Sequence, residues 1–420
     1  MRFDHARFHL EQMDRRAALK LGAGAAAAAA ATQLGGASAH AGRPDDAGPA
    51  RGRGEGKGRG EGRGASGGSS GAFTDEMFDV DAVLAGAWVP SPYGADDQRG
   101  TLNELTPERT AAAMRRVHGG QVTAYQLGEE MFNGFPAYPS TPPRLHEMYL
   151  LASGYDAGPE FVAGGGIQSG TTPAGPNLVT GHEERFAENF TFQIGTQLDG
   201  LGHVGVGDIY YNGFRAQELS SPTGLTALGN ETMGPIATRG VVLDIVGLKV
   251  AGGMTDDYFI APNGRPVLRD DYRITIDDIE NAVRRERIQD GIRPGDVPIF
   301  HTGWTHLVRD DPQRYLTQEP GIYLAEARYL VDKRVALIAS DTWALEVLSP
   351  AVTQGNAFPV HQELFGKFGC RIGESFVTDA AIDDDVYEGL LVITPENVPG
   401  ATCGSSAPTL LGGRGREPKD

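Results

Sequence analysis

Residues 42–71 set the first limit on what this chain can fold into. There Arg51-Gly52-Arg53-Gly54-Glu55-Gly56-Lys57-Gly58-Arg59-Gly60 alternates glycine with charge, and a Gly/Ser stretch leads on to Ala72-Phe73. Nothing in this tract can offset its ordering entropy by burying apolar surface. Residues 42–72 are therefore expected to be a disordered, flexible tether. The folded body should start near Phe73 and run to about residue 415. No second linker of comparable length and no internal repeat interrupts 73–415, so one domain is expected there. Arg/Gly repeats also occur in RNA-binding tails, but the interleaved glutamates and the absence of aromatics argue against that use. Charge divides at the same place. Residues 1–72 carry 11 Lys+Arg against 7 Asp+Glu, and the remainder 26 against 48, a net −22. A body this acidic repels nucleic acid and anionic membranes, which leaves a small molecule as the expected partner.

Ahead of the tether, Arg15-Arg16-Ala17-Ala18-Leu19-Lys20 places paired arginines before a mildly apolar run at residues 21–31. Ala37-Ser38-Ala39 and Ala39-His40-Ala41 both suit a small-residue cleavage site. The run is too short to span a bilayer and has no amphipathic face. Residues 1–41 resemble a twin-arginine signal, which implies a periplasmic or extracellular protein, free of the membrane once the signal is removed. Export by this route carries an already folded protein, so a metal can be loaded before export.

Within the body, Thr106-Pro107-Glu108 opens a helix: threonine as N-cap, proline at the first helical position, acid in the first turn. It is predicted to run to about Val117. Thr275 to Arg287 is predicted as a second helix, with Asp278 closing a capping box and Ile276, Ile279 and Val283 on one face. A third covers Tyr323 to Val331. Val241 to Val246, Val297 to Phe300 and Val335 to Ala339 are strand candidates. Recurring strands and helices give the α/β class.

The chemistry concentrates in Phe192-Gln193-Ile194-Gly195-Thr196-Gln197-Leu198-Asp199-Gly200-Leu201-Gly202-His203. On a strand, Gln193, Gln197 and Asp199 project to one face. Three oxygen-bearing side chains together suit a hard divalent cation. The same pattern also fits a polar, solvent-facing strand edge.

This segment resembles the cyclase-family motif H-x-G-T-H-x-D-x-P-x-H. Gly195, Thr196, Asp199 and His203 match at the family's spacings, while Gln193 and Gln197 stand in place of the two metal histidines and Leu201 in place of the proline. Tyr93-Gly94-Ala95-Asp96-Asp97-Gln98-Arg99-Gly100-Thr101-Leu102-Asn103 resembles the family's entry segment. Tyr211-Asn212-Gly213, the stretch from Gly295-Asp296 to Thr302-Gly303-Trp304, and Ser340-Asp341-Thr342-Trp343 also look familial. The resemblance covers about residues 85–405. It implies a swivelling β/β/α fold, a barrel-like mixed sheet with surrounding helices, and often a homodimer. It also implies a divalent metal ion, manganese or zinc with magnesium a third option, on Asp199 together with a downstream His361 and Glu374. His203 falls at the position of the family's proposed acid/base.

An amide carbonyl is a weaker ligand than imidazole, so the Gln193 and Gln197 changes shift preference from zinc toward manganese or magnesium. Three outcomes stay open: the glutamines ligate beside Asp199, His361 and Glu374; the ion sits on those three alone; or no ion binds. The implied activity is arylformamidase- or isatin hydrolase-like cleavage of a C–N bond in a small cyclic or aryl amide. A lyase or cyclase on the same scaffold, or a secreted binding protein that kept the pocket without the chemistry, are the alternatives. Trp304 and Trp343 are candidates for the pocket wall or for the core. Phe132, Phe135 and Tyr138 sit in or beside a Gly/Pro-rich loop that either caps the site or packs on the surface. Cys370 and Cys403 give no zinc-ribbon spacing and leave one bridge open.

Replacing both Arg15 and Arg16 by lysine is expected to block export. Fractionating cells that express the double variant checks this, and undiminished export would remove the twin-arginine reading.

Overall fold

The element that organises the body is a run of four buried parallel strands whose sequences are apolar almost throughout. In the computed structural model, residues 73–117 and 122–413 are described; the expected signal segment, the tether and residues 414–420 lie outside them. The nine strands of the main sheet are β1 (Thr123–Gln126), β2 (Gln197–Asp199), β3 (Ile236–Asp244), β4 (Val297–His301), β5 (Leu337–Ser340), β6 (Arg371–Glu374), β7 (Glu388–Ile393), β8 (Cys403–Ser405) and β9 (Thr409–Gly412). Their order is β1-β9-β7-β3-β4-β5-β6-β2-β8, and the sheet curls into a half-barrel with helices around it. β3, β4, β5 and β6 run parallel. Antiparallel strands extend both sides, β7, β9 and β1 beyond β3, and β2 and β8 beyond β6. Parallel strands covered on both faces read as continuous apolar runs rather than alternating ones. Val241, Val242 and Leu243 of β3 and Ile338 and Ala339 of β5 are all fully buried.

The predicted helices form with the expected caps. α1 (Pro107–Arg116) is capped by Thr106, whose side chain accepts from the Arg109 amide. α2 (Ile245–Ala251) follows β3 directly. α3 (Ile276–Arg285) carries the Thr275/Asp278 capping box, and α4 (Leu324–Asp332) lies close to its prediction. One boundary differs. The third strand ends at Asp244 rather than Val246, because the Asp244 carboxylate accepts from the Gly247 amide at 2.8 Å and caps α2. Outside the main sheet, Met148–Ser153, Ile167–Ser169 and Gly181–Phe186 form a separate three-stranded sheet. No helix among the described residues is long and apolar enough to cross a membrane. Cys370 and Cys403 are both buried free thiols, so the open disulfide does not form here.

The segments that look familial mostly hold the scaffold. Tyr211 donates to Asp97 at 2.7 Å, and the Asn212 amide donates to the carbonyls of Gly94 and Asp97 at 2.8 and 3.0 Å. Arg371, fully buried on β6, donates to the carbonyls of Gln98 and Arg99 at 3.1 and 2.5 Å. The entry segment is thereby tied to the strand that carries Glu374. Asp341, just after β5, accepts from the amides of Thr302 and Gly303 at 2.9 and 2.7 Å and fixes the loop after β4. These are buried backbone donors and acceptors that would otherwise go unpaired.

Glu286 ends α3 with its side chain enclosed, accepting from the Asp244 amide at 2.8 Å, while its second oxygen has no partner. Burial, reinforced by the charge of Asp244, pushes its carboxyl up to about 9 despite that hydrogen bond and Arg285 nearby. Between the ordinary carboxyl value of about 4.3 and about 9, the unfolded chain has released this proton and the folded chain retains it. The folded state then binds more protons, so this group's effect is a stability that falls as pH rises through that window. Glu286→Gln is expected to remove that slope and to gain at least about 1.4 kcal/mol at pH 8, one pKa unit's worth. Urea unfolding of both proteins at pH 5.5 and pH 8 checks it; a variant less stable at pH 8 would mean that the carboxylate is folded in its charged form.

Candidate active site

β2 is short because the chain leading into it is not extended. Gly195 has φ +69°, and a Cβ there would lie 2.3 Å from Met131 Sδ. Only glycine takes this turn without strain. Gln193, Gln197 and Asp199 therefore do not share one strand face by alternation over seven residues. Instead the reversal at Gly195 brings Gln193 back over Gln197, whose Nε2 donates to Gln193 Oε1 at 2.9 Å. Thr196 ties the turn down: its hydroxyl donates to the Ser375 carbonyl at 2.6 Å and accepts from the Glu129 amide at 2.7 Å.

Strand register then does the rest. β2 pairs with β6 so that Gln197 lies opposite Glu374, and with β8 so that Asp199 lies opposite Cys403. Directly opposed residues share a face. Gln197 Nε2 donates to Glu374 Oε2 at 2.7 Å and to Asp199 Oδ1 at 3.2 Å. All three side chains are buried.

His361 arrives from a different direction, on the short helix α5 (Pro359–Gln362). Glu346 sets it. One carboxylate accepts from the amides of Val360 and His361 at 3.2 and 3.1 Å, unpaired donors of a first helical turn, and from His361 Nδ1 at 2.5 Å. The other ring nitrogen faces Glu374 Oε1 at 3.4 Å. Burial alone would lower the imidazole's proton affinity, but its bonds to Glu346 and Glu374 outweigh this and raise its pKa to about 10. Glu374 is raised by burial and by Asp199, against the pull of His361.

Asp199, His361 and Glu374 offer ligand atoms that all lie within 4.8 Å of one another. Two buried oxygens here have no hydrogen-bond partner, Asp199 Oδ2 and Gln197 Oε1. An enclosed carboxylate oxygen without a donor is costly. Two carboxylates, one of them with an orphaned oxygen, and an imidazole are a donor set that fits a hard divalent cation. Gln193 stands one step out: it touches Gln197 and His203, not the two carboxylates.

His203 follows β2 through a turn closed by its own amide, which donates to the Gly200 carbonyl at 3.0 Å. The glycines at 200 and 202 serve this turn through space rather than through a left-handed backbone. A Cβ would lie 2.8 Å from the Thr402 carbonyl oxygen at the first and 2.4 Å from Leu225 at the second. The ring stands with Nε2 3.6 Å from Asp199 Oδ2 and Nδ1 3.3 Å from the Gln193 amide nitrogen. Burial lowers its proton affinity, Asp199 works against this, and His361 and Arg144 add to it.

A narrow cleft of about 30 Å³ opens beside this cluster, walled by Tyr138, Arg144, Gln193, Gln197, Tyr315, Trp343 and Glu374 among others. Trp343 is at the cleft, its ring centroid 5.3 Å from that of Tyr138. Trp304 is not: it is fully buried and donates to the Tyr315 carbonyl at 3.1 Å, a core residue beneath the wall. Phe132 is not in the wall either; it packs on Phe135 under the Arg309 guanidinium, which lies 4.0 Å from its ring centroid. The Gly/Pro-rich loop reaches the cleft through Tyr138 instead. Sequence reasoning missed Glu346 and Arg144. An acid set among Trp343, Ala344, Leu345 and Val347 was the available signal for Glu346; Arg144 has none.

A family model described as "Putative cyclase" matches residues 125–347. A solved structure described as a novel cyclase shares 28% identity and a TM-score of 0.58, covering 76% of this chain and 95% of that one. Isatin hydrolase A from Ralstonia solanacearum shares 15% identity with a TM-score of 0.47, over 74% of this chain and 98% of its own. A predicted metal-dependent hydrolase from Bacillus stearothermophilus shares 18%, with a TM-score of 0.39, over 70% of this chain and 99% of its own. The search of curated proteins finds no match.

Because Glu346 orients His361, Glu346→Gln is expected to weaken manganese binding by about 10–100-fold, the usual effect of losing a carboxylate behind a ligating histidine. Calorimetric titration of the apo-protein checks this, with circular dichroism confirming the fold. Unchanged affinity would reduce Glu346 to a helix cap.

Proposed function

The chain belongs to the cyclase family, and from that premise we propose that it is a metal-dependent hydrolase that cleaves the C–N bond of a small cyclic or aryl amide. The observation that carries the reading is the buried triad of Asp199, His361 and Glu374, with its unpartnered Asp199 oxygen, beside His203 and reaching an aromatic-walled cleft through Glu374. Asp199, His361 and Glu374 would hold the ion, with Gln197 able to offer its carbonyl once the amide turns over. When bound, a divalent ion supplies a polarised carbonyl and a water of lowered pKa.

The chain's own residues do the rest. His203 is neutral near pH 7, since burial disfavours its charged form. Its Nδ1 is the basic atom, met only by the 3.3 Å contact from Gln193. As water adds to the amide carbon, Nδ1 takes the proton. The imidazolium that results faces the Asp199 carboxylate across 3.6 Å through Nε2, which stabilises the charge. As the C–N bond breaks, His203 returns the proton to the leaving nitrogen. Trp343 and Tyr138 offer flat faces to an aryl substrate.

One observation favours a second reading, a binding protein without the chemistry. Gln197 Nε2 already bridges Asp199 and Glu374, so a neutral amide meets both carboxylates where the family's histidine would hold an ion. Metal stoichiometry separates the two, because the hydrolase needs close to one ion per chain.

His203→Ala is expected to lower turnover of an amide such as formanilide by roughly 10²–10⁴, the range for losing a general acid/base, with metal content nearly unchanged. Steady-state kinetics and elemental analysis of the same preparation check it. Full turnover would exclude the base, and a lost ion would make His203 a ligand.

A further inference from the structure

Most arginines of the body are spoken for. Arg239, Arg273, Arg314 and Arg328 each hold a carboxylate at 2.5–2.9 Å. Arg144 does not. It lines the cleft, half-buried, and among the described residues no carboxylate lies within 4.0 Å of it. Its one hydrogen bond runs from Nη1 to the Gln193 carbonyl at a long 3.3 Å, and its guanidinium carbon lies 5.7 Å from the centroid of the Tyr138 ring. A guanidinium has five donors in a fixed fork, so nearly all of this one's capacity is unused by the protein. Taking such a group partly out of water without an anion is unfavourable.

Among the residues that line the cleft, Arg144 is also the lone cation. The wall carries Glu374, with Asp199 behind it, and the body as a whole is strongly acidic. Within the lining, an anion meets one like charge, Glu374, and one opposite charge, Arg144. The charge of Arg144 is felt at both His203 and Glu374, where it disfavours the proton, so it acts on the same space as the catalytic groups.

We propose that Arg144 is a specificity residue that anchors a carboxylate on the substrate, so that the amides taken are aryl amides bearing an acid group. This rests on the hydrolase reading above. The fork of Arg144 pairs with the acid group in bidentate fashion, while Tyr138 and Trp343, packed together with centroids 5.3 Å apart, offer a shared aromatic wall to the ring that carries it. The acid group and the scissile amide are thus held at opposite ends of one flat molecule, which fixes the carbonyl toward Gln197 and Glu374, behind which Asp199 lies.

The test separates the anchor from the chemistry. Benzoate and benzamide are titrated into wild-type, Arg144→Ala and Arg144→Lys proteins, each with and without manganese. Arg144→Ala is expected to weaken benzoate by about 10–100-fold, as for a charged hydrogen-bonded pair of about 1.5–3 kcal/mol. Benzamide should change by less than about threefold, and Arg144→Lys should fall between. Equal losses for both probes, or benzoate affinity that follows manganese and ignores Arg144, would overturn the proposal. Kinetics with N-formyl-4-aminobenzoate and formanilide supply the second arm: the rise in KM on Arg144→Ala should be about 10–100-fold larger for the acid. A wild-type protein that hydrolyses neither amide but binds benzoate through Arg144 defeats the hydrolase reading and keeps the anchor. One that hydrolyses both with no Arg144 dependence does the reverse.

Discussion

Asp199 and Glu374 are two carboxylates brought together in the interior by strand register, and much of the site exists to make that tolerable. Like charges this close, out of water, each disfavour the other's ionisation. The raised proton affinity of Glu374 reflects burial and Asp199 together. Every neighbour answers the problem. Gln197 donates to both, His361 brings a positive charge, and Glu346 in turn holds His361. Even so, Asp199 keeps one buried oxygen without a donor. A site that fully neutralised itself would have no use for a cation. This one stops short of that, and the deficit is what makes a metal centre the economical explanation of the cluster.

The scaffold that enforces the register is remote from the chemistry. Arg371 and Glu374 lie at the two ends of β6. Arg371 is pinned to the entry segment, and that segment is pinned in turn to Tyr211 and Asn212. Asp341 fixes the loop after β4 beside it. Residues that look familial far from the ligands are therefore positioning elements: they fix where β6 ends, and β6 fixes where Glu374 meets Gln197. Buried hydrogen-bonded backbone of this kind resists small shifts, which is what a metal site needs from its support.

Much of this was legible in the sequence. Helix caps such as Thr106 and the Thr275/Asp278 box act through contacts three residues away, so local reading finds them. Apolar runs such as Val241 to Leu243 announce strands covered on both faces. Asp199 stood out within its own segment, but His361 and Glu374 were reachable only through resemblance, since 162 residues separate Asp199 from His361 and 13 separate His361 from Glu374, and only the fold brings them together. What local reading misjudged was geometry that depends on tertiary neighbours. Period-two alternation failed at Gly195, where a turn replaces the strand. Trp304 and Phe132 have the composition of a pocket wall, but they pack behind it. Glu346 shows only an acid among apolar neighbours and Arg144 no local pattern at all, because their roles are defined by partners, one by the helix end it caps and the other by the carboxylate it lacks.

The replacement of the family's histidines by Gln193 and Gln197 fits this picture as an exchange of donors rather than a simple loss. An imidazole that ligates a metal is an acceptor toward it and leaves the carboxylates to the ion alone. An amide can serve either way, because turning its terminal torsion swaps a donor for an acceptor in the same volume. With Nε2 inward, Gln197 holds Asp199 and Glu374 together as a neutral bridge. With its oxygen inward, it joins an oxygen-rich set suited to manganese or magnesium rather than zinc. Gln193 follows the same logic one step out, receiving from Gln197 on one side and facing His203 on the other. The pair therefore links the two carboxylates to His203 Nδ1. A turn of Gln197 withdraws the bond it gives to Gln193 and frees Gln193 to shift relative to His203. Two histidines, fixed as ligands, could not pass that change along.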